Sequence, residues 1–260
     1  MNRKIRVPLI SVIIALILAG VGAAAWFVRP QGVMERAREA LEGGESVRVE
    51  EFDLGGVSGF RFSPDNVKVD EGLIFYPGAR VPARAYAPQA LGIAGEGYSV
   101  YLVRMPVNLA VLGWKKAGKV ISARKDIESW VVGGHSMGGA MAARFVASTD
   151  YRVAGLVLWA SYPPEGASFP GGLDVLSITG TRDEIINRKK IARSREQLPP
   201  GTEFVEIVGG NHSQFGWYGF QSGDGQARVS RKEQQDVVVA ETVGLLERVM
   251  ESRRGSSSSR

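Results

Sequence analysis

The chain has 260 residues, of which 44% are apolar and 23% charged, the balance of an ordinary globular protein rather than a disordered or repetitive one. Its formal charge of +5 is gathered at the ends: residues 1–29 carry +4 and residues 251–260 carry +2, so the body between them is net −1. That excludes the basic stripe of a nucleic-acid binder, and the one cluster inside the body, Arg188, Lys189 and Lys190, reads as a solvated helix face. The absence of cysteine excludes disulfides, thiolate metal sites, a cysteine nucleophile and lipid attachment at a thiol.

From Val7 to Val28 no residue is charged, and at 1.5 Å per residue a helix over this run would cover the ~30 Å core of a bilayer. Arg3, Lys4 and Arg6 precede it, so the positive-inside rule keeps the N-terminus cytoplasmic and exports the rest. The run is long for a signal peptide, and Trp26 and Phe27 suit an interfacial aromatic belt, which favours a single-pass anchor over residues 1–30. The alternative is a signal cleaved near Ala23-Ala24-Ala25, which would leave a secreted body.

Gln31 to Leu41 reads as a short amphipathic helix. Val47–Leu54 and Gly59–Phe62 read as strands, and Gly72–Tyr76 is a continuous apolar run of the kind buried on both faces of a parallel sheet. Helix and strand then alternate. Ala85–Ala94 is helical, Tyr98–Arg104 a strand, residues 107–128 contain helical pieces, and Trp130–Gly134 is another buried strand. Ala140–Ser148 is a helix, Ala154–Ala160 and Asp174–Thr179 are strands, Ile185–Gln197 is a helix, Glu203–Val208 a strand and Gln234–Val249 the closing helix. This alternation predicts an α/β domain over residues 31–250 with a mainly parallel sheet flanked by helices. The serine-rich stretch 251–260 is predicted to be a disordered polar tail.

Gly134-His135-Ser136-Met137-Gly138 matches G-x-S-x-G. The pattern alone is weak in a glycine-rich chain; its position between a buried strand and a helical run gives it strength. A strained strand-to-helix turn needs small residues at 134 and 138, and it lifts the serine oxygen clear of the sheet. Ser136 is therefore the candidate nucleophile, and the Met137 N–H, at a helix N-terminus, the candidate oxyanion donor.

A hydroxyl nucleophile needs a neighbouring base. The chain has two histidines. His135, beside the nucleophile, should project away from it, which leaves His212 in the loop after the last strand. The acid should lie between serine and histidine in sequence and at the carboxyl end of a strand. Asp183 meets both conditions, with Glu184 the alternative, whereas Asp174 starts its strand and belongs at the other edge. Asp183 could equally cap the helix predicted to follow it. Phe215, Trp217, Tyr218 and Phe220 either line an acyl pocket or pack in the core.

On Gly134–Gly138, Asp183, His212 and the loop Pro77-Gly78-Ala79, roughly residues 70–250 resemble the α/β-hydrolase superfamily, most nearly its small bacterial dienelactone-hydrolase-like and esterase-like members. The resemblance implies an Ala79 N–H as second oxyanion donor, although many relatives carry His-Gly where this chain has Pro77-Gly78. It also implies acyl transfer to water through an acyl-enzyme, without a cofactor, on a small-molecule or polymer-borne ester. Residues 161–173 leave no room for a large lid. No metal-ligand cluster, P-loop or dinucleotide fingerprint is present in the sequence. A peptidase or acyltransferase on the same fold, or a tethered binding module on an inactive one, are the competing readings.

Overall fold

The computed structural model describes residues 29–65 and 67–257, together with residues 11–14, 16, 17, 20 and 22 nearer the N-terminus. It divides into two compact units, Met1–Pro30 and Gln31–Arg260. Among the described residues no helix is long and apolar enough to cross a membrane. Most of the apolar run 7–28 lies outside the described residues.

Gln31–Arg260 is built on eight strands: β1 Val47–Asp53, β2 Ser58–Pro64, β3 Glu71–Tyr76, β4 Ser99–Val103, β5 Ser129–His135, β6 Gly155–Trp159, β7 Asp174–Gly180 and β8 Glu203–Ile207. Their order in the sheet is β1-β2-β4-β3-β5-β6-β7-β8. β1 and β2 form an antiparallel hairpin, β2 joins β4 antiparallel, and every pairing from β4 to β8 is parallel. Among the described residues of this unit there are six α-helices: α1 Glu35–Glu39, α2 Ala87–Gly95, α3 Lys116–Ala123, α4 Met137–Ser148, α5 Arg188–Gln197 and α6 Arg231–Ser257. The expected α/β architecture is present, and residues between β6 and β7 form neither helix nor strand, so no lid covers that side.

The continuous apolar runs still alternate between two cores. Leu73, Phe75, Val131, Val157, Leu176 and Ile178 point to the side packed by α2 and α6. Ile74, Tyr76, Val132, Leu156, Leu158 and Val175 point to the side packed by α3 and α4. A strand with period-2 side chains and helices on both faces has no solvent face to keep polar.

Several helix boundaries differ from those expected: α1 starts at Glu35 rather than Gln31, α4 at Met137 rather than Ala140 and α6 at Arg231 rather than Gln234, and two further differences have a side-chain cause. α6 does not stop at Val249 but runs to Ser257, through most of the segment expected to be disordered. The reason is Arg253, which reaches the starts of β3 and β5. Its guanidinium bonds Glu71 at 2.8 Å, lies 3.5 Å from Asp70 and also pairs with Glu128. α5 starts at Arg188 rather than Ile185, because Asn187 caps it by accepting from the Lys190 N–H (3.1 Å).

At the carboxyl ends of β3 and β5 the backbones nearly touch. A Cβ on Gly138 would lie 2.1 Å from the Tyr76 carbonyl oxygen and 2.4 Å from that of Pro77. One on Gly134 would lie 2.6 Å from the Tyr76 oxygen, and one on Gly139 2.6 Å from the Ser161 side chain. Gly138→Ala is expected to cost at least about 1–3 kcal/mol, since neither backbone can yield without parting the strands. Gly95→Ala, whose Cβ meets nothing within 4 Å in a helix, should be neutral or stabilising by up to about 1 kcal/mol. Urea unfolding midpoints of the two variants check both values.

Candidate active site

Ser136 sits between β5 and α4 with φ 53° and ψ −122°, a left-handed conformation that costs a non-glycine residue of order 1–3 kcal/mol. The surroundings over-determine it. Its N–H donates to the Trp159 carbonyl (2.9 Å), and its own carbonyl accepts from Ser161 Oγ (2.7 Å) and from the Ala140 N–H (3.1 Å). Ala160, at the end of β6, is also held at positive φ (44°). Both line a cavity of about 200 Å³ with Met137, Tyr162, Ile185, Ile186 and His212. Strain of this kind gathers where a side chain must be aimed. A larger cavity, of about 780 Å³, lies at the opposite edge, where Ser129 and Asp174 start their strands, far along the sheet from Ser136.

His212 follows β8 by a short loop and is fully buried, as is Asp183 after β7. His212 Nδ1 lies 2.7 Å from Asp183 Oδ2. The other carboxylate oxygen, Oδ1, accepts from the N–H groups of Ile185 and Ile186, each at 2.9 Å. Asp183 thus does not cap α5, which has Asn187 for that; its two oxygens divide between the loop backbone and the imidazole. Glu184 is exposed and faces Arg182 at 4.0 Å. Asp174 lies at the far edge, as its place at the start of β7 requires.

The histidine loop is held by groups that no sequence motif marks. Asp224 accepts from the His212 N–H (3.3 Å), from Ser213 N–H (2.7 Å) and Oγ (2.6 Å), from Gly225 N–H (2.9 Å) and from Glu184 N–H (3.4 Å). One carboxylate therefore binds both the loop of Asp183 and the loop of His212. Gln234 on α6 adds a reciprocal pair with the Asn211 backbone, at 3.0 and 2.8 Å. Nothing local marks Asp224 or Gln234 in sequence, because apart from Gly225 their partners lie 11 to 40 residues away.

Met137 opens α4 and lines the Ser136 cavity. Ala79 is in the loop after β3, half-buried, and is not among that cavity's lining. The loop is pinned one residue earlier. Gly78 N–H donates to the Tyr86 hydroxyl (3.0 Å), which in turn lies 2.8 Å from His135 Nδ1. With the Tyr86 oxygen accepting from Gly78, the assignment that also pairs the buried hydroxyl proton has Tyr86 donating to His135 Nδ1 and the His135 proton on Nε2. His135 thus projects away from Ser136, as expected, and packs between Phe215 (5.6 Å, stacked) and His212 (4.5 Å between ring centres).

The aromatic run after His212 is mainly core. Phe215 and Tyr218 are fully buried, Phe220 is exposed, and none of the four lines the Ser136 cavity. Tyr162, Ile185 and Ile186 take that place, brought there by the loops after β6 and β7. Among the described residues no group of three or more His, Asp or Glu side chains could hold a metal.

With fold and geometry in view, the sequence matches the alpha/beta hydrolase family over residues 72–236, and the chain belongs to that family. No curated protein matches it significantly. Solved structures share its fold at low identity. A thermophilic esterase from Thermogutta terrifontis, with propionate bound, is 18% identical with a TM-score of 0.54, covering 78% of this chain and 96% of its own. An alpha/beta hydrolase enzyme from a Medee basin deep-sea metagenome library is 18% identical with a TM-score of 0.54, covering 66% of this chain and 86% of its own. A dienelactone hydrolase from Anabaena variabilis is 14% identical with a TM-score of 0.51, covering 75% of this chain and 95% of its own.

Burial, and then the neighbouring His212, push the His135 imidazole well below its ordinary value. A histidine that cannot charge when folded contributes nothing to the pH dependence of stability above about pH 6.5. Below that the unfolded chain takes a proton that the folded one refuses, and stability falls by up to about 1.4 kcal/mol per pH unit. His135→Asn, which keeps an acceptor for Tyr86, should therefore lose less stability than the parent between pH 7 and pH 5. Urea midpoints at the two pH values measure the difference.

Proposed function

We propose that the protein is a serine hydrolase of carboxylic esters, with Ser136 as nucleophile, His212 as base and Asp183 as the acid behind it. The observation that carries the reading is one arrangement. A serine held at φ 53° shares a 200 Å³ cavity with a histidine whose far nitrogen lies 2.7 Å from a buried carboxylate. A strained, half-buried hydroxyl facing a cavity, a base and an oriented acid are the parts of acyl transfer.

In this reading His212 Nε2 takes the Ser136 proton as Oγ bonds the ester carbonyl carbon. Asp183, an acceptor only, holds the Nδ1–H and so the correct tautomer, and stabilises the imidazolium. The tetrahedral oxyanion is met by the Met137 N–H at the start of α4 and by the Ala79 N–H. Collapse breaks the bond to the alkoxy group, which leaves as the alcohol with the His212 proton. Water, deprotonated by His212, then attacks the acyl-enzyme; the acid departs and Ser136 regains its proton. The cavity is below the ~300 Å³ at which ordinary ligand pockets begin, and its apolar wall is Met137, Ile185 and Ile186, which suits a short acyl group.

The apolar run Val7–Val28 and the preceding Arg3, Lys4 and Arg6 support a tether to the outer face of the cytoplasmic membrane, or secretion if the segment is cleaved.

A fluorophosphonate probe should label the protein at Ser136, and Ser136→Ala and His212→Ala should abolish labelling. Asp183→Asn should slow hydrolysis by on the order of 10³–10⁴-fold while leaving the fold intact. Asp224→Asn, one shell further out, should lower kcat by on the order of 10-fold with KM little changed, since it positions His212 and touches no substrate. Absence of labelling in a folded protein would sink the triad. On a series of esters, kcat/KM should fall once the acyl chain outgrows the cavity.

A further inference from the structure

The loop after β4 ends at the same edge of the sheet as Ser136, since β4 lies parallel to β3, which is parallel to β5. Two successive 3-10 turns there, Pro106–Asn108 and Ala110–Leu112, turn large apolar side chains outward. Val107 is 54%, Val111 42% and Leu112 60% exposed. Single exposed aliphatic residues need no account, but three within six residues of one loop form a patch.

The patch is rimmed by cations. Lys115, Lys116 and Lys119 line a concavity of about 320 Å³ with Val111, Leu112 and Trp114, and no carboxylate is part of that lining. Trp114 carries Lys115 Nζ 5.1 Å from its ring and the Arg144 guanidinium at 4.4 Å. Burial and the neighbouring Lys119 lower the Lys116 ammonium, with Asp53 opposing them. Lys116 and Lys119 use one donor each on the carbonyls of Arg104 (2.9 Å) and Gly55 (3.0 Å), which fixes their positions and leaves further N–H groups for an anion. Outward aliphatic groups, an indole at the margin and lysines around it are the chemistry of a protein surface resting on anionic headgroups.

The patch is also tied to the active-site edge. Tyr76, the last residue of β3, donates its hydroxyl proton to the Trp114 carbonyl (2.8 Å) and accepts from the Ala117 N–H (2.7 Å). The next residue, Pro77, lies against Gly138 of the serine turn.

We infer that Val107–Lys119 is a membrane-docking surface, in which Val107, Val111 and Leu112 enter a bilayer whose anionic headgroups are met by Lys115, Lys116 and Lys119. It rests on the proposal that the chain works at a membrane, and adds that the edge bearing Ser136 is held against the lipid. Short acyl esters on molecules at that surface are then within reach of the nucleophile.

The lack of cysteine makes the test direct. Leu112→Cys in the full chain is labelled with a polarity-sensitive fluorophore, and Val67→Cys, 61% exposed ahead of β3 at the other edge, is the control. Each is added to vesicles of phosphatidylcholine alone or with phosphatidylglycerol, with nitroxide quenchers on the acyl chains. With phosphatidylglycerol the Leu112 label should shift to the blue and be quenched several-fold more than the Val67 label, and Lys115→Glu/Lys119→Glu should reverse most of this. A Leu112 label as unquenched as that at Val67 overturns the docking surface. Equal quenching in both vesicle types overturns the commitment to anionic lipid. The tether is read separately, by flotation with pure phosphatidylcholine vesicles in high salt, and the triad by fluorophosphonate labelling, so failure of either is distinguishable from failure of the patch.

Discussion

The structure is organised around a steric constraint: the ends of β3 and β5 and the start of α4 approach so closely that no side chain fits at 134 or 138. Tyr76 and Pro77 carbonyls occupy the space that a Cβ at Gly138 would need. With both neighbours reduced to backbone, the chain can turn from strand to helix in one residue, and that residue is forced to positive φ. The strain is borne by a packed sheet with two apolar cores, large enough to hold of order 1–3 kcal/mol without relaxing. The aim of the Ser136 side chain is thus a property of the whole sheet, not of the loop alone.

On the other side of the cavity the problem is electrostatic. Asp183 is buried, and a buried carboxylate is tolerated only when its oxygens are satisfied. Two backbone N–H groups and an imidazole nitrogen do this, at 2.9, 2.9 and 2.7 Å. Asp224 answers the same need for the backbone of the adjoining turn, gathering N–H donors from residues 184, 212, 213 and 225. Because one carboxylate serves two loops, neither can shift without unpairing the other, and the spacing of His212 and Asp183 is held by these backbone bonds as well as by the contact between their own side chains.

What the sequence discloses follows from the range of the interactions. The serine turn is legible because its determinants, a buried strand, small residues at fixed offsets and a helical run, lie within twenty residues. His212 is legible by scarcity, and Asp183 by chain order and its place at the end of β7. Asp224, Gln234 and Tyr86 are not legible, since each matters only through a partner brought near by the fold. The same holds for Arg253, whose three acidic partners lie more than a hundred residues upstream and carry α6 through a stretch of composition otherwise suited to disorder. Aromatic residues next to a histidine suggested a pocket, but sequence adjacency says little about which face of a loop is turned inward. The small cavity is lined instead by Tyr162 and Ile186, from the loops after β6 and β7.

His135 joins the two halves of the site. Its Nδ1 is engaged by Tyr86, and through Tyr86 by the Gly78 N–H, while its ring lies against that of His212. Its Nε2 is buried and has no hydrogen-bond partner, a cost of about 1–3 kcal/mol that an apolar ring would avoid. A hydroxyl–imidazole bond is directional, whereas packing of a phenyl ring is not. The imidazole therefore fixes where the Tyr86 oxygen sits, and with it the loop that ends at Ala79. Being neutral, it also adds no positive charge beside His212, so an imidazolium forming there would face Asp183 without a repelling neighbour. The unsatisfied nitrogen is the stability given up for that arrangement.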